Sequence, residues 1–552
     1  MKQLRDPAFW QCVRESEDYA EYRRIIKKHY EKNRYEGAIP EISFKTRIRF
    51  DIDGDREEFA GVYFRRRHAM TFTALMALIY PEEPRYIDEL QEVMWAICGE
   101  FSWILPAHLR FSPGDDNDYI DLKAPDTAFT MAEICLLLGD RLHPKIHKRV
   151  KDEAKRRILD VFKRGHQNWE DAENNWSSVI GCYTAATVLY LFPEEFDAAL
   201  ERIRSVAFES FFRSYSEEGT CFEGLGYWHY GFGTFVWFAD LLLECKGIDL
   251  LQGEKIRRIA GFGRRCFLRG DTIISFSDCE RHGRLNPGLM TYLHRRFPES
   301  VKPVPGWMMP IPEAPENWLE LTRSMLYYDP TPAEGTFEPE SMDLPDSGQV
   351  LIGTGKYSLA VRAGDNNVHV SHCDVGNFIF STDEGQILCD MGVGHYTRDY
   401  HDLSLRRSFF CIGSQGHNVP ILNGETQKQG EEYRGTIAHN GNRIELEISG
   451  AYGLENFRRF ERVFLHKEDS VTLTDSFDPD YDSITERFTT LLRPSVEDSA
   501  IRIGASSLEY DPALAPIIQP HAVDLPGGTK TVWTMDFDLP RGLDHVTFVL
   551  RP

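Results

Sequence analysis

The hydrophobic period of this chain changes once, near residue 335, and this change constrains the fold more than any other feature. Before it, apolar residues recur every three or four positions, which is typical of packed helices. About a dozen helices in one region predict helix pairs arranged in an arc or toroid. The clearest segments are 72–79, 90–97, 127–138, 150–162, 177–191, 196–212, 233–245 and 255–267.

After the change, apolar and polar residues alternate, which is typical of strands with one buried face. The clearest segments are 357–362, 443–448, 470–475, 531–536 and 545–550. Many such strands between Gly, Asn and Asp turns predict an antiparallel β-sandwich. Residues 330–348 are rich in Pro, Gly and acidic residues and indicate a linker. We therefore predict a helical domain over residues 1–335 and a β-sandwich domain over residues 336–552.

Composition narrows the classes of partner. The chain has 552 residues, of which 42% are hydrophobic, so large cores can form. Its net charge of −23 disfavours nucleic acid and requires a local basic patch for any anionic ligand. The 11 cysteines include no CxxC pair and indicate buried thiols in a reducing compartment. With no apolar leader and no run of 18 apolar residues, we expect a cytoplasmic protein without membrane contact, or a periplasmic or secreted one if a signal was removed.

Two adjacent asparagines precede one of the predicted helices, in the run Asn174-Asn175-Trp176. An asparagine at such a place commonly caps the helix N-terminus, and capping alone would explain Asn174. The pair with a tryptophan could also present an amide donor and a ring that stacks on a sugar.

The segment EGLGYWHYG, residues 223–231, concentrates polar-tipped aromatics and includes Glu223, Tyr227, Trp228, His229 and Tyr230. A buried aromatic cluster is the simpler interpretation. Each polar tip would then need a partner in the core, so the density favours a carbohydrate cleft.

Histidines and carboxylates recur at His369, His372, Asp374, Asp390 and His417. Neighbouring strands lie about 5 Å apart, so these side chains could converge in a sheet. Two histidines and one aspartate would suit a zinc-type site, although the spacing alone leaves this open.

Basic residues cluster at 64–68, which includes Arg67 and His68, and again at 106–110, which includes His108. In so acidic a chain these are candidate receivers of an anion. A solvated helix face that pairs with nearby acids explains each arginine equally well.

The motifs together resemble the heparinase II/III-like polysaccharide lyases, whose relatives include heparin, heparan sulfate, alginate and oligoalginate lyases. HCDVGNFIF, ILCDMGVG and QGHNVPILNG carry most of the resemblance, and NNW, EGLGYWHYG, WILPAH and DYIDL occur in the family's order. The resemblance extends over residues 60–430. It implies an incomplete (α/α) toroid followed by an antiparallel β-sandwich, with β-elimination at a uronic acid in the cleft between them.

The resemblance also implies residue roles. Tyr227 matches the tyrosine that transfers the proton, and Asn175 matches the amide that neutralises the uronate carboxylate. His372, Asp390 and His417 match the ligands of a structural divalent metal, usually zinc. For substrate binding we assign Trp176, Trp228, Glu223, Arg67 and His68, with an anionic oligosaccharide or polysaccharide as partner and a homodimer allowed.

One position departs from the family pattern. Many relatives have a histidine where this chain has Val370, and His369 would face the other way on a regular strand. His229, Tyr230 and His108 are candidate replacements. Two alternatives stay open: a glycoside hydrolase that pairs Glu223 with Asp278 or Glu280, and a non-catalytic glycan-binding homologue.

Overall fold

A computed structural model describes residues 2–109, 116–301, 317–331, 340–367, 372–402, 404–455 and 457–552. Helices occupy the first part of the chain, as the three- and four-residue period predicts. They are α1 (Pro7–Glu15), α2 (Ala20–Asn33), α3 (Phe44–Arg47), α4 (Arg49–Asp53), α5 (Glu57–Ile79), α6 (Pro84–Cys98), α7 (Pro106–Leu109), α8 (Lys123–Leu138), α9 (Pro144–Ala154), α10 (Asp160–Arg164), α11 (Asn175–Leu191), α12 (Phe196–Arg202), α13 (Glu209–Arg213), α14 (Leu225–Tyr227), α15 (Gly233–Lys246), α16 (Glu254–Arg265), α17 (Pro287–Arg296) and α18 (Trp318–Leu326).

The inner helices of this region are apolar nearly all round. Helix α11 packs against α8 and α15, and α5 packs against α2 and α6. A helix without a polar face has to be covered on all sides, which explains why α11 lies inside the helical core. This placement brings the N-terminus of α11 against the π-helical turn Trp228–Phe232 that leads into α15.

Strands occupy most of the second part. They are β1 (Phe267–Arg269) and β2 (Thr272–Ile273) among the helices, then β3 (Met342–Leu344), β4 (Gln349–Gly353), β5 (Ser358–Arg362), β6 (Gly364–Asn366), β7 (Phe378–Thr382), β8 (Gly385–Leu388), β9 (Ile421–Leu422), β10 (Gly430–Asn440), β11 (Arg443–Glu447), β12 (Phe460–His466), β13 (Val471–Phe477), β14 (Ile484–Thr490), β15 (Ser495–Glu497), β16 (Ala500–Ile503), β17 (Ser506–Tyr510), β18 (Ile517–Leu525), β19 (Gly528–Asp538) and β20 (His545–Arg551).

The later strands form three antiparallel sheets. Their orders are β15-β16-β17-β20-β13-β12-β11-β10-β6, β18-β19-β14-β9 and β3-β4-β5-β7-β8. Strand β13 shows the expected alternation, because every second residue from Val471 to Phe477 is buried. In register, Leu473 lies between Phe464 and Phe548, so one face of this sheet is a continuous apolar layer.

The helical and sheet-rich regions meet along residues 267–279. Leu268 and Phe276 pack with Leu351 and Ile379 in one apolar cluster. Gly392 has a φ of 66° and approaches the carbonyl of Cys279 so closely that an added Cβ would lie 1.9 Å from its oxygen. Only glycine tolerates this approach, so the contact fixes the loop after β8 against the helical region.

The sequence predictions of element type are confirmed, since each predicted helical segment lies in or across helices and each predicted strand overlaps a strand. The predicted linker 330–348 is too long, because β3 already begins at Met342 and pairs with β4. All eleven cysteines are free thiols, and nine are buried. In the described part of the chain, the helices are too short or too polar to cross a membrane.

Candidate functional site

A pair of tyrosines joins the two regions. Tyr227 ends α14, and its hydroxyl lies 2.9 Å from the hydroxyl of Tyr396, which belongs to the loop between β8 and β9. Burial raises the pKa of Tyr227, and the charges of Glu223 and Asp278 raise it further, while the hydrogen bond with Tyr396 and the charge of Arg406 act in the opposite direction. Tyr227 therefore holds its proton in the resting protein.

The two adjacent asparagines have different surroundings. Asn174 caps α11, since its side chain accepts the Trp176 N–H at 2.9 Å. Asn175 is only 3% exposed and donates twice to Glu223, from its backbone N–H at 3.1 Å and from its side-chain amide at 2.9 Å. Within the described chain, the Asn175 Oδ1 accepts no hydrogen bond. Asn174 is thus structural, whereas Asn175 keeps a buried polar atom available.

Glu223 itself is buried beside Asn175. Burial raises the pKa of its carboxyl to about 7, although both hydrogen bonds from Asn175 act in the opposite direction. The same carboxylate contributes to the raised pKa of Tyr227. Glu223 therefore holds Asn175 by hydrogen bonds and raises the pKa of Tyr227 by its charge, and its contact with a sugar stays a prediction.

Asp278 organises a second set of contacts on the other side of Tyr396. It accepts hydrogen bonds from the Tyr400 hydroxyl at 2.6 Å and from Arg406 at 2.8 Å, and it lies 3.2 Å from His372 Nε2. Burial alone would raise the pKa of Asp278, but His372 and Arg406 lower it overall. This carboxylate is therefore held in its ionised form and is fully occupied.

Three buried side chains form a candidate metal group. His372, Asp390 and His417 each offer a ligand atom, and these atoms lie within 4.8 Å of one another. His372 Nδ1 lies 3.1 Å from His417 Nε2, which is 3.5 Å from Asp390 Oδ2. The outer ring nitrogens face acceptors, Asp278 for His372 and the Gly413 carbonyl for His417. This is the outer support that orients metal-binding histidines, so the residues fit a divalent ion.

Neighbours of this group have other partners. Asp374 pairs with Arg362, and Asn377 donates to Asp390 at 2.8 Å. His369 and Val370 lie outside the described residues. The departure at Val370 therefore stays a prediction about sequence alone.

A cavity of about 510 Å³ opens on the helical side. His108 lies in its wall and is 5.0 Å from the ring of Trp176. Its Nδ1 is 2.7 Å from Asp121 Oδ2, so the carboxylate holds one ring nitrogen and leaves the other for the cavity. The cavity is also lined by His29, Lys32, Arg56, His68, Lys123 and Tyr230.

The wall of this cavity carries cations, of which Lys123 also pairs with Asp126 at 3.7 Å. None of its described lining residues is a carboxylate, although the chain carries a net charge of −23. Burial, then the nearby His29, Lys32 and Lys123, lowers the pKa of His68. Such a wall favours an anionic ligand.

The predicted arginine run does not supply this charge. Arg67 donates to both oxygens of Glu100 at 2.8 and 2.7 Å and stacks on the Tyr63 ring, and Arg66 shares the same carboxylate at 2.9 Å. Arg67 is thus already paired with Glu100, and its assignment to substrate binding stays a prediction. The cations that line the cavity, Lys32, Arg56 and Lys123, are scattered in sequence, so no local pattern could reveal them.

Two other predicted residues face the interior. Trp228 is fully buried and donates its indole N–H to the Ile259 carbonyl at 2.8 Å, which corrects its assignment as a sugar-stacking ring. His229 accepts the backbone N–H of Asn286 at 3.3 Å, and burial lowers its pKa to about 4. It lines a separate cavity of about 410 Å³ with Tyr230.

Sequence reasoning missed Tyr396, Tyr400 and Arg406, and it named Asp278 only as a hydrolase carboxylate. All three missed residues belong to the loop between β8 and β9, which also carries Asp390 and His417. An aromatic and basic run directly after a recognised motif was the available signal.

Comparison with known proteins is consistent with this architecture. Residues 338–533 match the family model described as heparinase II/III-like, C-terminal. A heparinase III structure aligns with 96% of this chain and 83% of its own length at a TM-score of 0.62 and 11% identity. No curated protein sequence matches the chain.

Two further structures share the fold. The heparan sulfate lyase of Pedobacter heparinus aligns with 99% of this chain and 86% of its own, with a TM-score of 0.59 and 11% identity. The chondroitin AC lyase of Streptomyces coelicolor A3, solved with chondroitin sulphate, aligns with 100% and 82%, with a TM-score of 0.61 and 10% identity. The resemblance found in the sequence is thus confirmed over residues 338–533, which match the heparinase II/III-like, C-terminal family model.

Proposed function

We propose that this protein is a polysaccharide lyase that cleaves uronic-acid-containing glycans by β-elimination. The observation that carries the proposal is the cavity with three cations and no described carboxylate in its wall, whose His108 lies 5.0 Å from the ring of Trp176, the residue after Asn175. A uronate is the anionic group that a glycan would present there. Helices over residues 1–335 would form the incomplete (α/α) toroid and residues 336–552 the antiparallel β-sandwich, with the site at their junction.

The chemistry requires three groups. In β-elimination a base removes the C5 proton, the C5–H electrons form the C4–C5 double bond, the C4–O bond breaks, and an acid protonates the leaving oxygen. The C5 proton is weakly acidic, so the adjacent carboxylate must be neutralised as charge develops. The amide of Asn175 is assigned to that carboxylate, with support from the lysines of the cavity.

Tyr227 is assigned as the principal proton-transfer residue. Its raised pKa means that it enters the reaction as a phenol, which prepares it to protonate the leaving oxygen. Its hydrogen bond to Tyr396 at 2.9 Å fixes the hydroxyl at the junction.

His108 is assigned as the base in place of the histidine that Val370 replaces. Asp121 at 2.7 Å orients its ring, as a carboxylate orients the histidine base of many hydrolases. His229 suits this role less well, because its Nε2 already accepts a backbone N–H in the interior.

A divalent metal, zinc by its ligand types, would be held by His372, Asp390 and His417. When bound, such an ion supplies structural cross-linking between the strand loops and stays outside the proton transfers. Because Asp278 supports His372 and also holds Tyr400 and Arg406, the group would fix the loop that carries Tyr396.

The substrate class is proposed as a glycosaminoglycan oligosaccharide or polymer, on the similarity to heparan sulfate and chondroitin lyases. A cytoplasmic location would favour short oligosaccharides. A glycoside hydrolase is less well supported, because Asp278 is fully occupied by Arg406, Tyr400 and His372 and is not a free acid.

The test is incubation with a panel of heparan sulfate, chondroitin, hyaluronan and alginate oligosaccharides, followed by ultraviolet absorbance. An increase at the unsaturated-uronate band would establish elimination and identify the substrate. New reducing ends without that band would contradict the proposal and favour the hydrolase.

A further inference from the structure

Because Asn175 donates its amide N–H to Glu223, the amide oxygen, which cannot donate to a carboxylate, is the atom left available to a ligand. In the structure both Glu223 oxygens accept N–H groups of Asn175, at 3.1 and 2.9 Å. The atom left without a partner in the described chain is therefore the Asn175 oxygen, which would repel a uronate. For an amide to donate to a substrate carboxylate, its NH₂ must occupy that position.

A proton on Glu223 would reverse this arrangement. One Glu223 oxygen would still accept the backbone N–H of Asn175, and the protonated oxygen would donate to Oδ1. The amide would then have to rotate by half a turn about its last side-chain bond, which presents NH₂ to the ligand.

We propose that Glu223 is a positioning residue that takes up a proton when a uronate binds and thereby turns the Asn175 amide from acceptor to donor. This inference rests on the proposed function and deepens it, because it makes carboxylate recognition depend on a buried acid that does not touch the substrate. The rotation of the amide takes place in a confined space next to Gly231, since a Cβ added to Gly231 would lie 3.0 Å from the Asn175 Cβ.

The surroundings of Glu223 favour the neutral form. Glu223 is only 7% exposed, and burial raises the pKa of its carboxyl to about 7. The titratable groups that influence or are influenced by it are Tyr215, Cys221, Tyr227 and Asp278. None of these four carries a positive charge, so an arriving uronate would raise the pKa of Glu223 further.

The sign of the pH dependence follows. A group whose pKa rises on binding takes up a proton, so affinity is greatest below its pKa in the free protein and falls as the pH increases above it. We expect the Kd to rise about tenfold for each pH unit above about 7. A base or acid acting in the chemical step would instead change kcat.

The binding experiment uses Tyr227→Phe protein, which should bind without turnover, and an oligosaccharide that the wild type cleaves. Calorimetry in buffers of different ionisation enthalpy measures the Kd and the protons taken up between about pH 6 and about pH 8. Glu223→Gln in the same background mimics the neutral acid, because its amide donates to Oδ1 and its carbonyl accepts the backbone N–H.

The expected result is proton uptake and a pH-dependent Kd with Glu223, and no uptake with a pH-independent Kd with Glu223→Gln. Glu223→Ala should bind weakly at every pH, because nothing then orients the amide. The same pH slope in Glu223 and Glu223→Gln proteins would overturn the proposal.

A second measurement needs no ligand and separates this inference from the proposed function. The side-chain ¹⁵N signal of Asn175 should shift with a midpoint near pH 7 in the free protein and stay constant in Glu223→Gln, with Asn174 as the internal control. A signal that ignores pH would overturn the inference. A shifting signal in a protein that cleaves no uronate would support the amide switch and contradict the lyase assignment.

Discussion

In the sheet-rich region, the side chains of His372, Asp390 and His417 are fully buried and contact one another or fixed protein groups. In the helical region, by contrast, Asn175 has a buried oxygen without a partner in the described chain, and the pKa of Glu223 is raised. A fully satisfied polar group rigidifies its surroundings. A buried polar group without all its hydrogen bonds can instead bind a ligand or change its protonation state. The difference indicates that the sheet-rich side of the junction is a structural frame and the helical side is the reacting site. Each prediction below tests that division.

The largest effect should come from Tyr227→Phe. Loss of a positioned acid costs on the order of 10² to 10⁴ in rate, so kcat should fall by about that factor while the Tm changes little. The control is Tyr396→Phe, which removes the same 2.9 Å hydrogen bond but leaves the Tyr227 hydroxyl. Equal losses in both variants would show that the pair acts only by packing.

A smaller loss, about 10²-fold in kcat, is expected for His108→Ala, because removal of a positioned base costs at least that factor. The matched control is His166→Ala, which breaks a comparable 2.6 Å His–Asp contact at the exposed Asp171. Steady-state kinetics would measure kcat for both variants. A His108→Ala enzyme with an unchanged kcat would contradict the assignment of the base.

On the frame side, Asp278→Asn should weaken metal binding by about 10- to 100-fold, as loss of a group that supports a ligating histidine does. Elemental analysis after dialysis against graded chelators would measure the affinity. Asp544→Asn is the control, because Asp544 contacts His545 at 2.6 Å on the surface. Metal content that is low in every variant, including wild type, would contradict a metal at His372, Asp390 and His417.

The smallest effect is expected for Asn174→Ala, with Asn175→Ala as the contrasting variant. Asn174→Ala should lower the free energy of unfolding by about 1 kcal/mol, the usual cost of losing a helix cap, and leave kcat unchanged. Asn175→Ala should instead lower kcat/KM strongly with little loss of stability. Chemical denaturation and kinetics on both variants would measure the contrast, and identical behaviour would show that both asparagines only cap α11.

Element types and the metal group could be predicted because each depends on local pattern. The spacing of apolar residues in 127–138 and in 470–475 indicates directly which face of the helix or strand is buried. His372, Asp390 and His417 lie in short recognisable motifs. The cation-lined cavity could not be predicted, because Lys32 lies in α2, Arg56 directly before α5 and Lys123 at the start of α8. The pairing of Arg67 with Glu100 could not be predicted either, because Glu100 is distant in sequence.

Burial was the other unpredictable quantity. Trp228, Tyr227 and His229 are neighbours in the chain, yet one lies in the core, one reaches Tyr396 at the junction, and one lines a separate cavity. The π-helical turn at Trp228–Phe232 shifts the direction of these side chains, and composition does not predict such a turn.

The most direct test of the central claim is the mass of the products formed from a defined uronate oligosaccharide by the wild-type protein. Elimination adds no atoms, so the two product masses should sum to the mass of the substrate, and Tyr227→Phe should form neither product. Products that together exceed the substrate by one water would show hydrolysis and contradict the assignment of Tyr227 and Asn175 to β-elimination.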